Sequence, residues 1–162
     1  MFKHLTLLFF FLFNLSCQNQ TKLIEKHVPL DNEIYINVVE KKINLNGIIN
    51  GDYGANLLKL LKNWIDNDIK TNGFDGLLLI DLVSISSSEI LIENGIRIEM
   101  DLEIDFTITK TALDKKTIFK FRGKEFSEIN GDFTINDREI QINNISKRMI
   151  ERLSIKLLQE IN

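Results

Sequence analysis

The sequence predicts a two-layer α+β domain, a sandwich in which two amphipathic helices cover one face of a four-stranded, mostly antiparallel sheet, with the elements in the order βαβββα. Three patterns support this fold class. Apolar and polar residues alternate through seven repeats from Ile96 to Ile108, as in a strand with one buried face. Residues 33–39 alternate likewise and predict the first strand. Two stretches, around Leu61 and around Met149, instead repeat apolar residues at helical spacing.

Turn and capping residues place the two helices. Two Asn-Gly pairs after the first strand predict a loop, with a short extension of the strand left open. Asp52 then stands where it can cap a helix over about residues 53–70, which the Asn72-Gly73 pair ends. The closing helix starts at Asn136, has Glu139 three residues further on as in a capping box, and runs to about Ile161.

The Asn94-Gly95 pair predicts the first β-hairpin, since both central residues of a type I′ turn need positive φ. With the turn there, serines of one strand face carboxylates of the next on the solvent side. The predicted pairs are Ser84 with Asp105, Ser86 with Glu103 and Ser88 with Asp101. The same register turns Val83 toward the core, and it also places Ser87 and Glu89 there, which predicts a bulge or sheet margin at these two residues.

A second hairpin joins the long strand to the basic segment 116–124 across a loop from Lys110 to Lys115. With Thr109 opposite Lys116, cations of the third strand face acids of the second. The predicted pairs are Lys120 with Asp105, Arg122 with Glu103 and Lys124 with Asp101. Such pairs specify the register more than they add stability. The acids lie roughly 7 Å apart along one strand, which favours a solvated charged face over a calcium site.

The start of the chain predicts a signal peptide. A basic residue precedes the apolar run Leu5–Phe13, which is much shorter than the roughly 20 residues of a membrane-spanning helix. The run is followed by Leu15-Ser16-Cys17, which resembles the lipobox of bacterial lipoproteins, where the cysteine becomes the lipid-bearing N-terminus. This predicts a signal peptide over 1–16, a lipidated tether over 17–32 and one domain over 33–162. Ordinary signal-peptidase cleavage, leaving an odd thiol, is the alternative.

Composition and motifs argue against several function classes. Lys+Arg 20 against Asp+Glu 23 is the wrong balance for a nucleic-acid binder that relies on bulk positive charge. One cysteine and two histidines make a disulfide scaffold or a zinc cage a poor fit. The chain has no Gly-Xaa-Ser-Xaa-Gly elbow, Walker loop or His-Glu-Xaa-Xaa-His helix. We therefore expect no enzyme activity, no catalytic or metal-binding residues, and no cofactor besides the lipid on Cys17.

The loop of the second hairpin offers the best candidate for binding an anion. Lys110, Lys115 and Lys116 have no acidic partner in the predicted register, unlike the lysines further along the strand. Ammonium groups in such a position can donate charge-assisted hydrogen bonds to phosphates.

The chain resembles the LPS-assembly lipoprotein family. The resemblance covers residues 17–162 and is carried by the leader, the hydrophobic helix 55–69, the alternating strand Arg97–Thr109 and the closing helix led by Asp137-Arg138-Glu139. In that family the domain sits inside a large outer-membrane β-barrel, supports its assembly and interacts with lipopolysaccharide.

The resemblance implies an outer-membrane lipoprotein facing the periplasm, with a β-barrel as its partner and lipopolysaccharide as a further ligand. Gln18, where an Asp would resemble an inner-membrane retention signal, favours the outer membrane. The predicted barrel-facing residues are Ser84, Ser86, Ser88, Asp101, Glu103 and Asp105. An auxiliary lipoprotein of an ABC-type lipid transport system and a purely structural envelope lipoprotein remain as alternatives.

Overall fold

The computed structural model describes residues 33–161. The strands are β1 (Ile34–Ile36), β2 (Glu40–Asn44), β3 (Ile48–Asn50), β4 (Ile69–Thr71), β5 (Leu77–Ile92), β6 (Gly95–Lys110) and β7 (Lys115–Asn130). The helices are α1 (Gly54–Asn67) and α2 (Ile135–Ile161), and a 3₁₀ turn covers Thr111–Leu113. The predicted signal peptide, the tether and Cys17 lie outside the described residues.

The main sheet has five strands rather than the predicted four. β5, β6 and β7 form an antiparallel meander, and β2 and β3 pair in parallel with successive parts of β5. β1 and β4 form a separate two-stranded parallel sheet. The segment with two Asn-Gly pairs is therefore not a plain loop. The first pair separates β2 from β3 and the second begins at the last residue of β3, so the residues from Ile48 onward return to the edge of β5.

Both helices pack on the face of the main sheet that carries Met100 and Phe106, which we call the inner face. From α1, the ring of Trp64 meets that of Phe106 edge-on, with 6.5 Å between centroids. From α2, the buried hydroxyl of Ser146 donates to the sulfur of Met100 over 3.5 Å. The predicted α+β class with two helices is confirmed, and the opposite, outer face of the sheet is left uncovered by them.

Helix α1 differs from the prediction at its ends. Its N-cap is Tyr53, without a side-chain cap from Asp52. It ends at Asn67 instead of about residue 70, because the next residues pair with β1 as strand β4. At this end Lys41 of β2 donates to the carbonyl oxygens of Ile65 and Ile69, at 2.8 and 2.7 Å. A helix leaves its last carbonyls without intrahelical partners, and Lys41 satisfies one of them.

The β5–β6 register differs from the prediction by two residues from Ser84 to Ile92 and by three from Leu77 to Leu82. Ile92 pairs with Gly95, so Glu93 and Asn94 form the turn instead of Asn94 and Gly95. Neither turn residue has a positive φ, so the turn is not of type I′. Gly95 is needed for another reason, since a Cβ there would overlap the carbonyl oxygen of Ile129 in β7. Because the shift is even, the residues beyond the bulge keep their predicted faces and change only their partners.

The bulge of this hairpin lies at Val83, not at Ser87 and Glu89 as predicted. The register shifts at Val83, which has no partner and is 39% exposed instead of buried. Ser87 and Glu89 stay in register on the inner face, where Tyr53 donates its N–H to the Ser87 hydroxyl over 3.0 Å and its own hydroxyl to Glu89 over 2.6 Å. No bulge is required there because the start of α1 supplies hydrogen-bond partners.

The β6–β7 register is confirmed. Thr109 pairs with Lys116, and Phe106 pairs with Phe119 as predicted. The strand itself is longer than the predicted segment 116–124 and extends from Lys115 to Asn130.

Helix α2 begins with a capping box two residues earlier than predicted. The Thr134 hydroxyl accepts the N–H of Asp137 at 3.2 Å, and the Asp137 carboxylate accepts the N–H of Thr134 at 2.9 Å. The bond from the Thr134 backbone, reinforced by one from its hydroxyl, lowers the pKa of Asp137. Asn136, the predicted cap, is instead the second residue of the helix.

The sheet has two ends, which we call the tip end and the turn end. The tip end contains the β6–β7 connection (111–114), the loop before β5 (72–76) and the last turn of α2. The turn end contains the β5–β6 turn (93–94) and the connection from β7 to α2 (131–134).

Candidate interaction surfaces

The outer face brings together the six residues predicted to contact a partner, all on β5 and β6. Ser84 pairs with Glu103 and Ser86 with Asp101, each two residues away from the predicted partner. Ser88 likewise pairs with Glu99. The six side chains therefore share one surface, in a different arrangement from the predicted one.

Ion pairs cross the outer face between β6 and β7. The predicted pairs form between Lys120 and Asp105, at 3.8 Å, and between Arg122 and Glu103, at 3.0 Å. Arg122 also reaches Asp105 at 2.8 Å. Asp105 needs this compensation, because Asp81 lies directly opposite it on β5.

Lys124 departs from the predicted pairing. It lies opposite Asp101 in register, but its ammonium binds Glu99, at 2.6 Å. The hydrogen bond to Glu99, with the charge of Asp101 nearby, raises the pKa of Lys124. Asp101 instead accepts the hydroxyl of Ser86 over 3.3 Å. Most charges at the centre of the outer face thus bind one another, while Asp101 and Asp81 accept hydrogen bonds from the neutral side chains of Ser86 and Asn44.

The three lysines predicted to bind an anion lie together at the tip end. Lys110 and Lys115 form the last pair of the β6–β7 ladder, and Lys116 follows. The ion pairs found within residues 33–161 involve other cations. A groove of about 300 Å³ separates Lys110 and Lys115 from the end of α2, and Tyr35 and Glu160 also line it.

Two apolar residues of the tip end escaped the sequence analysis. Phe74 is fully exposed, and Leu113 in the β6–β7 connection is 69% exposed. The Asp75 carboxylate accepts the N–H of Ala112 over 2.8 Å, which holds the two connections side by side. The sequence does contain a signal for Phe74, an aromatic residue between Gly73 and Gly76 where no alternating or helical pattern buries it.

A network of polar side chains closes the turn end. Glu89 accepts the hydroxyl of Tyr53 over 2.6 Å and forms an ion pair with Arg138, at 3.1 Å. The Arg138 guanidinium lies over the ring of Phe133, 5.2 Å from its centroid. Burial, reinforced by the bond to Glu89, raises the pKa of Tyr53 to about 12. Sequence analysis found the unusual position of Glu89 but not its partners, which come from distant elements.

Within residues 33–161, no group of three or more histidine, cysteine, aspartate or glutamate side chains is arranged to hold a metal ion. The helices of this part of the chain also lack the combination of length and apolar character that crossing a membrane requires.

No protein-family model matches the sequence, and a search of curated proteins finds no match. Solved structures that are similar to the chain include the following three. A minor lipoprotein from Acinetobacter baumannii is 13% identical, with 76% of this chain and 92% of that chain covered and a TM-score of 0.42. A Helicobacter pylori protein described as a homologue of a neuraminyllactose-binding hemagglutinin is 9% identical, with 84% and 92% covered and a TM-score of 0.43. The rare lipoprotein B of Shewanella oneidensis is 10% identical, with 75% and 98% covered and a TM-score of 0.37.

Bacterial lipoproteins are thus among the structures that this chain resembles. At such identities, and with TM-scores below 0.5, the similarity carries no argument about what this chain binds.

Proposed function

We propose that this protein is an outer-membrane lipoprotein that acts by contact, as the plug and assembly partner of a large β-barrel in lipopolysaccharide transport to the cell surface. The lipid on Cys17 would anchor it on the periplasmic side. The leader that ends in Cys17 and the sequence resemblance to the LPS-assembly lipoprotein family support this proposal.

The observation that carries the proposal is the uncovered outer face. Three strands of 16 residues each, roughly 50 Å long, form it without cover from either helix. Its central charges are already paired, as in the contacts of Arg122 with Glu103 and Asp105. The interior wall of a wide barrel is polar and faces water. A large surface whose charges are mostly ion-paired, and otherwise hydrogen-bonded, can meet such a wall with a small desolvation penalty.

The serines of β5 suit the same role. Ser84, Ser86 and Ser88 carry small hydroxyl groups that donate and accept hydrogen bonds, beside the acids of β6. A partner can therefore approach this part of the sheet closely and form hydrogen bonds with it as either donor or acceptor. Polar contacts of this kind give specificity of orientation more than affinity.

Lipopolysaccharide would meet the protein at the tip end. Lys110, Lys115 and Lys116 are the candidates for binding its phosphates, and the adjacent groove is lined by Tyr35 beside two of these lysines. In this proposal the protein performs no covalent chemistry and needs no cofactor. Binding and positioning are its whole activity.

Photo-crosslinking in cells tests the barrel contact. A photoreactive residue at Ser86 or Glu103 on the outer face should capture one large outer-membrane barrel. The matched control is Asn144, an exposed position on α2, which should not capture it. Recovery of only small soluble proteins, or equal capture from all three positions, would contradict the proposal.

Depletion of the protein tests the transport role separately. We expect lipopolysaccharide at the cell surface and the assembled form of the captured barrel to decrease together. If both stay unchanged while the protein is absent, a structural envelope lipoprotein is the better account.

A further inference from the structure

The tip end combines exposed apolar side chains with a rigid support. Phe74 is fully exposed and Leu113 is 69% exposed, each in a different connection. The bond between Asp75 and Ala112 links these connections, and Gly76 lies so close to Thr109 that a Cβ would overlap the carbonyl oxygen of Thr109. The two apolar side chains therefore project from one fixed platform.

Three lysines that take part in none of the ion pairs found within residues 33–161 lie around these side chains. Residues 110–116 contain these lysines, Lys110, Lys115 and Lys116, and one acid, Asp114. Asp75 beside Phe74 and Glu160 in the neighbouring groove are two further acids. The lysines on the outer face differ, since Lys120 and Lys124 bind Asp105 and Glu99. Exposed apolar residues with lysines beside them match the chemistry of an anionic bilayer surface, which offers an apolar layer beneath phosphates.

The position of the N-terminal tether also favours contact between the tip end and the membrane. Tyr35 lines the groove beside Lys110 and Leu113, so the first described residue, Glu33, lies close to the tip end. The predicted tether of residues 17–32 reaches at most about 55 Å even when fully extended. Since the sheet itself is roughly 50 Å long, the tip end stays within reach of the bilayer at any extension of the tether, whereas the turn end reaches it only when the tether is almost fully extended.

We propose that the tip end is a non-covalent membrane contact, in which Phe74 and Leu113 enter the interfacial layer of an anionic phospholipid bilayer while Lys110, Lys115 and Lys116 bind its phosphates. The contact orients the protein on the membrane before it meets a partner. It goes beyond the proposed function, because it involves neither a barrel nor lipopolysaccharide.

Vesicle binding of the predicted mature chain tests this contact. Residues 17–162 with Cys17→Ser carry neither the leader nor an acyl group, so any binding must come from the protein surface. We expect the chain to co-sediment with vesicles of equal parts phosphatidylglycerol and phosphatidylcholine and to bind phosphatidylcholine vesicles weakly. Lys115→Gln with Lys116→Gln should lower the partition coefficient about 25-fold, at about fivefold for each lysine. Phe74→Ser with Leu113→Ser should lower it at least tenfold.

The turn end and the outer face provide the matched controls. Leu91→Ser with Ile135→Ser removes exposed apolar residues beside acids, and Lys120→Gln with Lys124→Gln removes lysines that are ion-paired. Both control variants should bind within about twofold of the unmodified chain. Trp introduced at Phe74 should shift its emission to the blue on anionic vesicles, whereas Trp at Ile135 should not.

Three results would overturn the inference. They are a chain that does not bind anionic vesicles, controls that lose as much binding as the tip variants, and a dimer in solution that Phe74→Ser with Leu113→Ser dissociates. The last would show that a second copy covers the tip. Because the outer face takes no part in this experiment, none of these results bears on the proposed barrel contact.

Discussion

The two ends of the sheet each expose large apolar side chains, but the charged residues beside them differ. At the tip end, Phe74 and Leu113 stand beside a group of lysines. At the turn end, Leu91 is 85% exposed next to Glu93, and Ile135 is exposed a few residues after an acid, Asp132. Exposed apolar residues are common on protein surfaces and do not identify a target by themselves. What distinguishes the tip end is its three lysines, which take part in none of the ion pairs found within residues 33–161.

The two ends are also held together differently. At the turn end, side chains from three elements close a network, in which Tyr53 and Arg138 bind Glu89. At the tip end, the elements are joined by hydrogen bonds between side chains and backbone. The side chain of Lys41 binds the last turn of α1, and that of Asp75 binds the backbone of Ala112. The lysines of the tip end are left to bind a partner, whereas the charges of the network at the turn end already have theirs.

The largest effect should come from the core near the tip end. Phe106→Ala removes a buried ring that packs on Trp64, and we expect it to lower the free energy of unfolding by about 3–5 kcal/mol. Leu91→Ala, on the same sheet face at the turn end, should change it by less than about 0.5 kcal/mol. Urea unfolding monitored by circular dichroism measures both. Equal losses would show that the turn end is as well packed as the tip end, against the observed exposure.

The next largest loss of stability should come from removing the hydrogen bonds of Lys41 to the end of α1. Lys41→Met leaves two carbonyl oxygens without their donor and should lower the free energy of unfolding by roughly 1–2 kcal/mol. Lys42→Met is the control, because Lys42 is exposed and reaches only the carboxylate of Glu40, at 3.4 Å. Chemical denaturation measures the free energy of unfolding of both variants. A control as unstable as Lys41→Met would mean that the bonds to α1 contribute nothing.

At the turn end, the start of α2 offers a comparable test. Thr134→Ala removes the hydroxyl that accepts the N–H of Asp137 and should cost about 1 kcal/mol. Asn136→Ala, at the position that the sequence pattern favours as the cap, should have no measurable effect. Thermal unfolding of both variants tests whether Thr134 is the cap. If Asn136→Ala is the less stable of the two, Asn136 caps the helix instead.

The smallest effect is a pH dependence of the turn-end network. The pKa of Tyr53 is raised to about 12 in the folded protein, above the usual value of 10.0, because burial and Glu89 favour the neutral phenol. Its contribution to stability is therefore complete below pH 10 and is lost as the pH rises toward 12. Tyr53→Phe should make this decline shallower, as measured by urea unfolding across that range, and the part that comes from the raised pKa of Lys124 should remain. A decline that is equally steep in Tyr53→Phe would place the titrating group elsewhere.

Features with a clear signal in the sequence are predicted correctly, whereas features that depend on a distant partner are not. The β6–β7 register is confirmed because opposite charges and opposed aromatic rings select it, as at Arg122 with Glu103 and Phe106 with Phe119. The β5–β6 register was wrong by two residues, since no charge pattern marks the offset and the glycine of the turn serves β7 instead. The strands β2 and β3 were missed because short strands take their stability from a distant partner, here β5.

The candidate surfaces were likewise predicted in part. Sequence analysis placed Ser84, Ser86 and Asp101 on one face, and the structure does so too, with a changed pairing. It found the lysines of the tip end but not Phe74, whose exposure depends on what the neighbouring connections leave uncovered.

The alternation of the long strands and the helical spacing of apolar residues by themselves determined the fold class and, beyond the bulge at Val83, which residues share a face, because both periods are local properties of the backbone. Only the tertiary structure decided the pairing offset, the position of the bulge and which apolar side chains stay in water. These depend on contacts between residues far apart in the chain, and no local pattern records them.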